Sequence, residues 1–319
     1  MRVISCDGGG IRGLLTADWL AAVEAELGGR IRDHCDLIAG TSTGAILAVA
    51  LGQGISAAEI AELYVEHGGT IFPGGGRRLF DYLGRMFKQG ISAPKYSADG
   101  LERVLCDRLG YGPLSSLTPR VMLMTYNTVT RSPEVLKSWV GSGKSVPAWE
   151  AAVASASAPT YFPAHIVKLD GVAVPLIDGG VAANNPTVCA IAEAMRLQEM
   201  GAARSGGALV VGSFGAGRST RPISAKSAQE WGAMEWALPI IDVLLDAGPS
   251  VADYQARMLV TRGRYFRFQT RLEAAYDDID DVSATNLNAL RMMAMRHLRD
   301  EGGDLAAAEL AALLKSKGN

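Results

Sequence analysis

The stretch Gly40-Thr41-Ser42-Thr43-Gly44 sets one serine between two glycines. Where such a G-x-S-x-G run joins a strand to a helix, it forms a nucleophile elbow. The sharp turn lifts the hydroxyl above the sheet, the glycines relieve crowding, and the helix N-terminus favours developing negative charge. The chemistry would be acyl transfer. Gly8, Gly9 and Gly10 follow a short apolar run, Val3 to Cys6. Consecutive glycines leave N–H groups unshielded, and such amides can hold a tetrahedral oxyanion. Arg12 adds positive charge nearby; its plain alternative is a surface arginine at a helix start. Asp178 closes the apolar run Val172–Ile177 and precedes Gly179-Gly180. Alone it reads as a turn residue. Beside the other two features it reads as the base that takes the serine proton, its basicity raised by desolvation.

Two nucleotide readings compete. Gly8 to Gly13 satisfies G-x-G-x-x-G between a strand and a helix, but the dinucleotide fingerprint also needs an acid at the end of the second strand. That strand runs into Ala39-Gly40, and Asp33 and Asp36 lie at its start. Gly141-Ser142-Gly143-Lys144-Ser145 lacks the upstream glycine of a phosphate-binding loop, since Ser138 stands there. The four histidines, His34, His67, His165 and His297, give no base in a turn after a strand, with His297 the best placed in chain order.

These groups need a frame. The spacing predicts a strand at 2–6, a helix at 14–27, a strand at 35–39 and a helix at 45–51: parallel strands with a crossover. That order sets Gly8–Gly10 beside Ser42. Helices follow at 57–66, 78–88 and 98–109, then strands at 121–127 and 134–139 around a turn containing Ser132-Pro133. A small-residue helix covers 147–157. A hairpin covers 165–169 and 172–177, and Pro186 opens a helix after Asn185. Strands at 208–215 and 265–269 complete the sheet in a mainly helical remainder. The expected fold class is α/β, a mainly parallel central sheet flanked by helices. We expect one domain over 1–319, with a catalytic core at about 1–215 and a mainly helical part at about 226–319.

The chain has 319 residues, 48 % hydrophobic and 20 % charged, with a formal net charge of −2. This suits a substantial core and supplies no broad basic surface for a nucleic acid polymer. Its four cysteines lack C-x-x-C spacing and read as reduced thiols, with no zinc site. With no signal-peptide pattern and no apolar stretch of membrane-spanning length, the expected location is cytoplasmic, acting at the membrane surface. In residues 77–91, Leu79, Phe80, Leu83, Met86 and Phe87 share one helical stripe beside Arg77, Arg78, Arg85 and Lys88. This suits transient contact with anionic lipid; an ordinary surface helix is the alternative.

Asp7-Gly8-Gly9-Gly10-Ile11-Arg12-Gly13, Gly40-Thr41-Ser42-Thr43-Gly44 and Asp178-Gly179-Gly180, in that order, resemble the patatin-like phospholipase family. Residues 154–163 resemble the segment ahead of its catalytic aspartate, and the likeness covers about residues 1–270. The resemblance implies a three-layer sandwich related to α/β-hydrolases. It makes Ser42 the nucleophile and Asp178 its base, with Gly8, Gly9, Gly10 and Arg12 stabilising the oxyanion. It implies hydrolysis of fatty acyl esters of membrane glycerophospholipids through an acyl-enzyme, without calcium, metal or cofactor. Some bacterial proteins similar to this one are antiphage effectors of CBASS systems, switched on by a cyclic dinucleotide. A cyclic dinucleotide activator and a homo-oligomer are therefore further expectations, though no motif here carries either.

Overall fold

The computed structural model describes residues 1–73, 93–202, 207–220, 222–236, 239–273, 275 and 277–316. The amphipathic segment 77–91 lies outside them. The strands are β1 (Arg2–Cys6), β2 (Leu37–Thr41), β3 (Arg120–Asn127), β4 (Ser132–Lys137), β5 (His165–Leu169), β6 (Val172–Asp178), β7 (Val210–Phe214) and β8 (Tyr265–Phe268). They form one eight-stranded sheet in the order β5-β6-β3-β2-β1-β7-β8, with β4 also on β3. The run β3-β2-β1-β7-β8 is parallel, whereas β4 and β6 pair antiparallel with β3. The sheet is therefore mixed, with the expected parallel half at its centre.

Burial explains the unbroken apolar runs of the central strands. Alternate residues of a strand face opposite sides. Ile4 and Ile38 enter a core with the helices Gly13–Leu27 and Thr43–Gln53, while Val3 and Leu37 enter a second core with the helix Thr187–Glu199. Helices thus cover both faces, giving three layers. In the last of these helices the Asn185 side chain accepts from the Thr187 amide, and Pro186 sits one position before the first helical residue.

The turn between β3 and β4 differs from expectation. Asn127 makes it, its side-chain oxygen accepting from the amides of Val129 and Thr130. Pro133 lies inside β4, opposite Tyr126. β4 pairs with β3 alone, and an edge strand tolerates a residue without an N–H.

One register detail positions the site. β2 pairs with β3 as far as Thr41 opposite Met124. β6 pairs with the next stretch of β3, with Asp178 opposite Thr125. β4 occupies the other edge of β3 at these residues. β2 and β6 therefore meet end to end along one edge, and their last residues stand at adjacent positions of β3.

Candidate active site

Ser42 follows β2 directly and precedes the helix Thr43–Gln53. Its backbone has φ 56° and ψ −123°, a left-handed conformation that a non-glycine residue adopts only under constraint. The Ser42 amide donates to Ser155 Oγ at 2.9 Å, and that hydroxyl donates to the Met124 carbonyl at 2.6 Å. Ser155 thus pins the elbow to β3. Gly44 lets the helix approach β1: a Cβ there would lie 2.1 Å from the Cys6 carbonyl oxygen. Ser155 had no role in the sequence reading. Its only signal was its place in the small-residue stretch 154–163.

Asp178 is 1 % exposed. Its amide donates to the Ser157 carbonyl at 3.0 Å, and its Oδ1 accepts from the Gly180 amide at 2.7 Å. Burial pushes its carboxyl up to about 6, against the pull of hydrogen bonds from the Ser42 side chain and the Gly180 amide. Serine hydroxyl and carboxylate are therefore in direct contact, with a carboxyl more basic than usual.

The glycine loop divides its labour unevenly. The Gly8 amide donates to the Asn184 carbonyl at 3.0 Å, so this expected oxyanion donor is already engaged. Among the described residues the Gly9 and Gly10 amides have no such partner. Gly10 has φ +58°, and a Cβ there would lie 2.1 Å from the Ile279 carbonyl oxygen. Ser42, Gly9, Gly10 and Asp178 line one cleft, whose walls include Ile11, Ile46, Ile71, Phe72, Phe162 and Leu245. An apolar chain fits such walls. None of the four histidines lines it. His297 instead packs on the Trp19 ring, 4.8 Å between centroids.

Arg12 lies behind the loop. It is 3 % exposed, and its Nε donates to the Gly9 carbonyl at 3.3 Å. Its guanidinium lies 3.7 Å from Asp246 and lines an adjoining polar cavity with Asp7, Arg218 and Arg267. It braces the loop rather than entering the apolar cleft. Asp7 is held by Arg267, whose Nη2 and Nη1 donate at 2.5 and 3.1 Å. Burial pushes Asp7 up and the Arg267 charge pulls it down. Among the described residues no group of three or more His, Cys, Asp or Glu side chains is placed to hold a metal ion, and no helix is long and apolar enough to cross a membrane.

Residues 4–191 match the family described as patatin-like phospholipase. The chain belongs to the patatin-like phospholipase family. Patatin-like protein 2 of Oryza sativa subsp. indica is 31 % identical, over 91 % of this chain and 82 % of that one. Patatin-like protein 2 of Arabidopsis thaliana is 30 % identical, over 91 % and 81 %. A cGAMP-activated phospholipase of Vibrio cholerae is 33 % identical, over 61 % of this chain and 58 % of its own. Membership makes this patatin-like chain an enzyme of the lipid acyl hydrolase type. The family match ends beyond Asp178 and Asn184, so it spans every lining residue of the cleft apart from Leu245 and Ile279.

Proposed function

We propose that this chain hydrolyses fatty acyl esters of membrane glycerophospholipids with a Ser42–Asp178 dyad. Ser42 Oγ attacks the ester carbonyl while Asp178 takes its proton. The Gly9 and Gly10 amides receive the oxyanion, where one donor is worth about 10²–10³ in rate. The lysolipid leaves with the proton, and water then releases the fatty acid. Charge is met by amides throughout, so the reading needs no calcium. One observation carries it: the Ser42 side chain hydrogen-bonds a buried carboxylate in a cleft with apolar walls. The test is labelling by a fluorophosphonate, with mass spectrometry of total-lipid digests made in EGTA. Wild type should be labelled at Ser42 and release fatty acid; Ser42→Ala should do neither while keeping its Tm. Release undiminished in Ser42→Ala would overturn the reading.

A narrower reading rests on the Vibrio cholerae relative, named as cGAMP-activated. In it a cyclic dinucleotide switches this chain on, within antiphage defence of the CBASS type, at the cytoplasmic membrane surface. A panel of cyclic dinucleotides should raise fatty acid release and shift the sedimentation coefficient. A panel that changes neither would remove it.

A further inference from the structure

The dyad accounts for acylation, yet one buried polar atom beside it has no role in that step. Asn184 is 4 % exposed, and among the described residues its Oδ1 has no hydrogen-bond partner. A buried acceptor left unpaired costs free energy, so an unpaired one in an active site calls for a reason. Its orientation is fixed. The Asn184 Nδ2 donates to the carbonyls of Gly8 at 3.3 Å and Leu245 at 2.5 Å. Carbonyls only accept, so the amide group must face them and the oxygen must face the other way.

The oxygen's surroundings are the dyad. A Cβ built on Gly8 would lie 2.1 Å from Asn184 Oδ1 and 3.1 Å from Ser42 Cβ. A Cβ built on Gly180 would lie 2.5 Å from Leu245 Cδ2, 3.0 Å from Asp178 Oδ1 and 3.1 Å from Asn184 Oδ1. The two acceptor oxygens thus flank one spot beside Gly180, closed on a third side by the Leu245 methyl, and Asn184 lines the same cleft as Ser42 and Asp178. Two acceptors converging next to a nucleophile match a molecule with two O–H donors and a free lone pair, which is water.

We infer that Asn184 positions the water that hydrolyses the acyl-enzyme. The inference rests on the Ser42–Asp178 reading and concerns only its second half. The water donates one O–H to Asp178 and the other to Asn184 Oδ1, which aims its lone pair at the acyl carbon on Ser42 Oγ. A bond forms from the water oxygen to that carbon, and the carbon–Oγ bond breaks. The water proton passes to Asp178 and from there to Ser42 Oγ. Fatty acid leaves and the hydroxyl is restored. Asn184 takes no proton; it fixes the direction of attack, and misplacing a reacting group costs rate.

The experiment separates the two half-reactions in Asn184→Leu, which keeps the volume and removes the acceptor together with the Nδ2 donor to the Gly8 and Leu245 carbonyls. The second-order rate of fluorophosphonate labelling reports attack by Ser42. Pre-steady-state release of p-nitrophenol from a p-nitrophenyl acyl ester reports deacylation. We expect labelling within about 3-fold of wild type and kcat lower by 10- to 100-fold. KM should fall in parallel, with a burst of one p-nitrophenol per enzyme and the acyl group seen in the intact mass. Equal losses in labelling and kcat would assign Asn184 to holding the glycine loop through Gly8 and overturn the inference. So would an unchanged kcat, or a lower kcat with no burst. If Asn184→Leu is insoluble, Asn184→Ser, which shortens the side chain, is read by the same burst. Wild type that resists the fluorophosphonate would instead refute the dyad itself.

Discussion

Burial of Asp178 makes a prediction about both activity and stability. The carboxyl ionises near 3.8 when solvated and near 6 in the fold, with burial as the main cause. A rise of about two units corresponds to roughly 3 kcal/mol. Between those two values the folded chain keeps the proton that the unfolded chain has lost. The Asp178 contribution to stability is therefore highest below 3.8, falls as pH rises through about 6, and stays lower above it. Asp178→Asn abolishes the titration and keeps an oxygen for the Gly180 amide. The variant should be more stable than wild type at pH 8 by up to about 3 kcal/mol, or ~4 °C in Tm for a chain of this length. The gap should close by pH 4. Calorimetry of both proteins from pH 4 to 8 measures it, and taking the difference cancels every other titrating group. The same carboxylate must be ionised to receive the serine proton. Wild-type kcat/KM on a soluble ester should therefore lose about tenfold per unit below an apparent pKa of about 6. A Tm gap that does not change with pH, or an acid limb centred near 4, would refute the reasoning.

Three further outcomes follow from the glycine loop and its supports. Gly10→Ala forces a Cβ against the Ile279 carbonyl at a positive φ, and should lower kcat on a soluble ester by about 10²–10³ with little change in KM. Arg12→Gln removes the brace on the Gly9 carbonyl and should lower kcat/KM by about tenfold; unchanged kinetics would mean the Gly9 peptide is held without it. Arg267→Met leaves Asp7 buried and unpaired, and should cost about 3–5 kcal/mol by urea unfolding. A loss below about 1 kcal/mol would show that the pair does not hold the loop.

What the sequence shows of the fold and site follows from how local each constraint is. A serine elbow needs small residues at fixed neighbours, and an oxyanion loop needs bare amides, so both leave a mark within six residues or so. The central strands are buried on both faces and show as apolar runs. The meeting of Ser42 and Asp178 is not local. Parallel strands explain why Gly8–Gly10 stand beside Ser42, but β6 arrives antiparallel and abuts the end of β2 along β3. No feature near 178 encodes that register. Pro133 misled in the opposite way: it reads as a turn anywhere except on an edge strand. Gly8 and Arg12 show the limit most sharply. The sequence presents Gly8 as a bare amide and Arg12 as a charge near the loop or on the surface, and it gives no sign of their tertiary partners, the Asn184 carbonyl and Asp246.

Three positions that break local rules meet in one cleft. Ser42 sits at a positive φ, Asp178 is a carboxyl deprived of water, and Asn184 points an oxygen at no partner. Each departure costs stability on its own, by about 1–3 kcal/mol for a strained backbone or an unpaired buried group. Some sites elsewhere resolve the same problems: Asp7 has its arginine, and Asn127 and Asn185 bond the backbone two residues on, while others, Trp149 Nε1 and His297 Nδ1 among them, have no hydrogen-bond partner among the described residues. A chain that satisfies its buried polar groups in those places could do so here. Asparagine at 178 and glycine at 42 would each relieve one cost. All three costs fall in one cleft, and the acyl transfer on Ser42 proposed above would use all three.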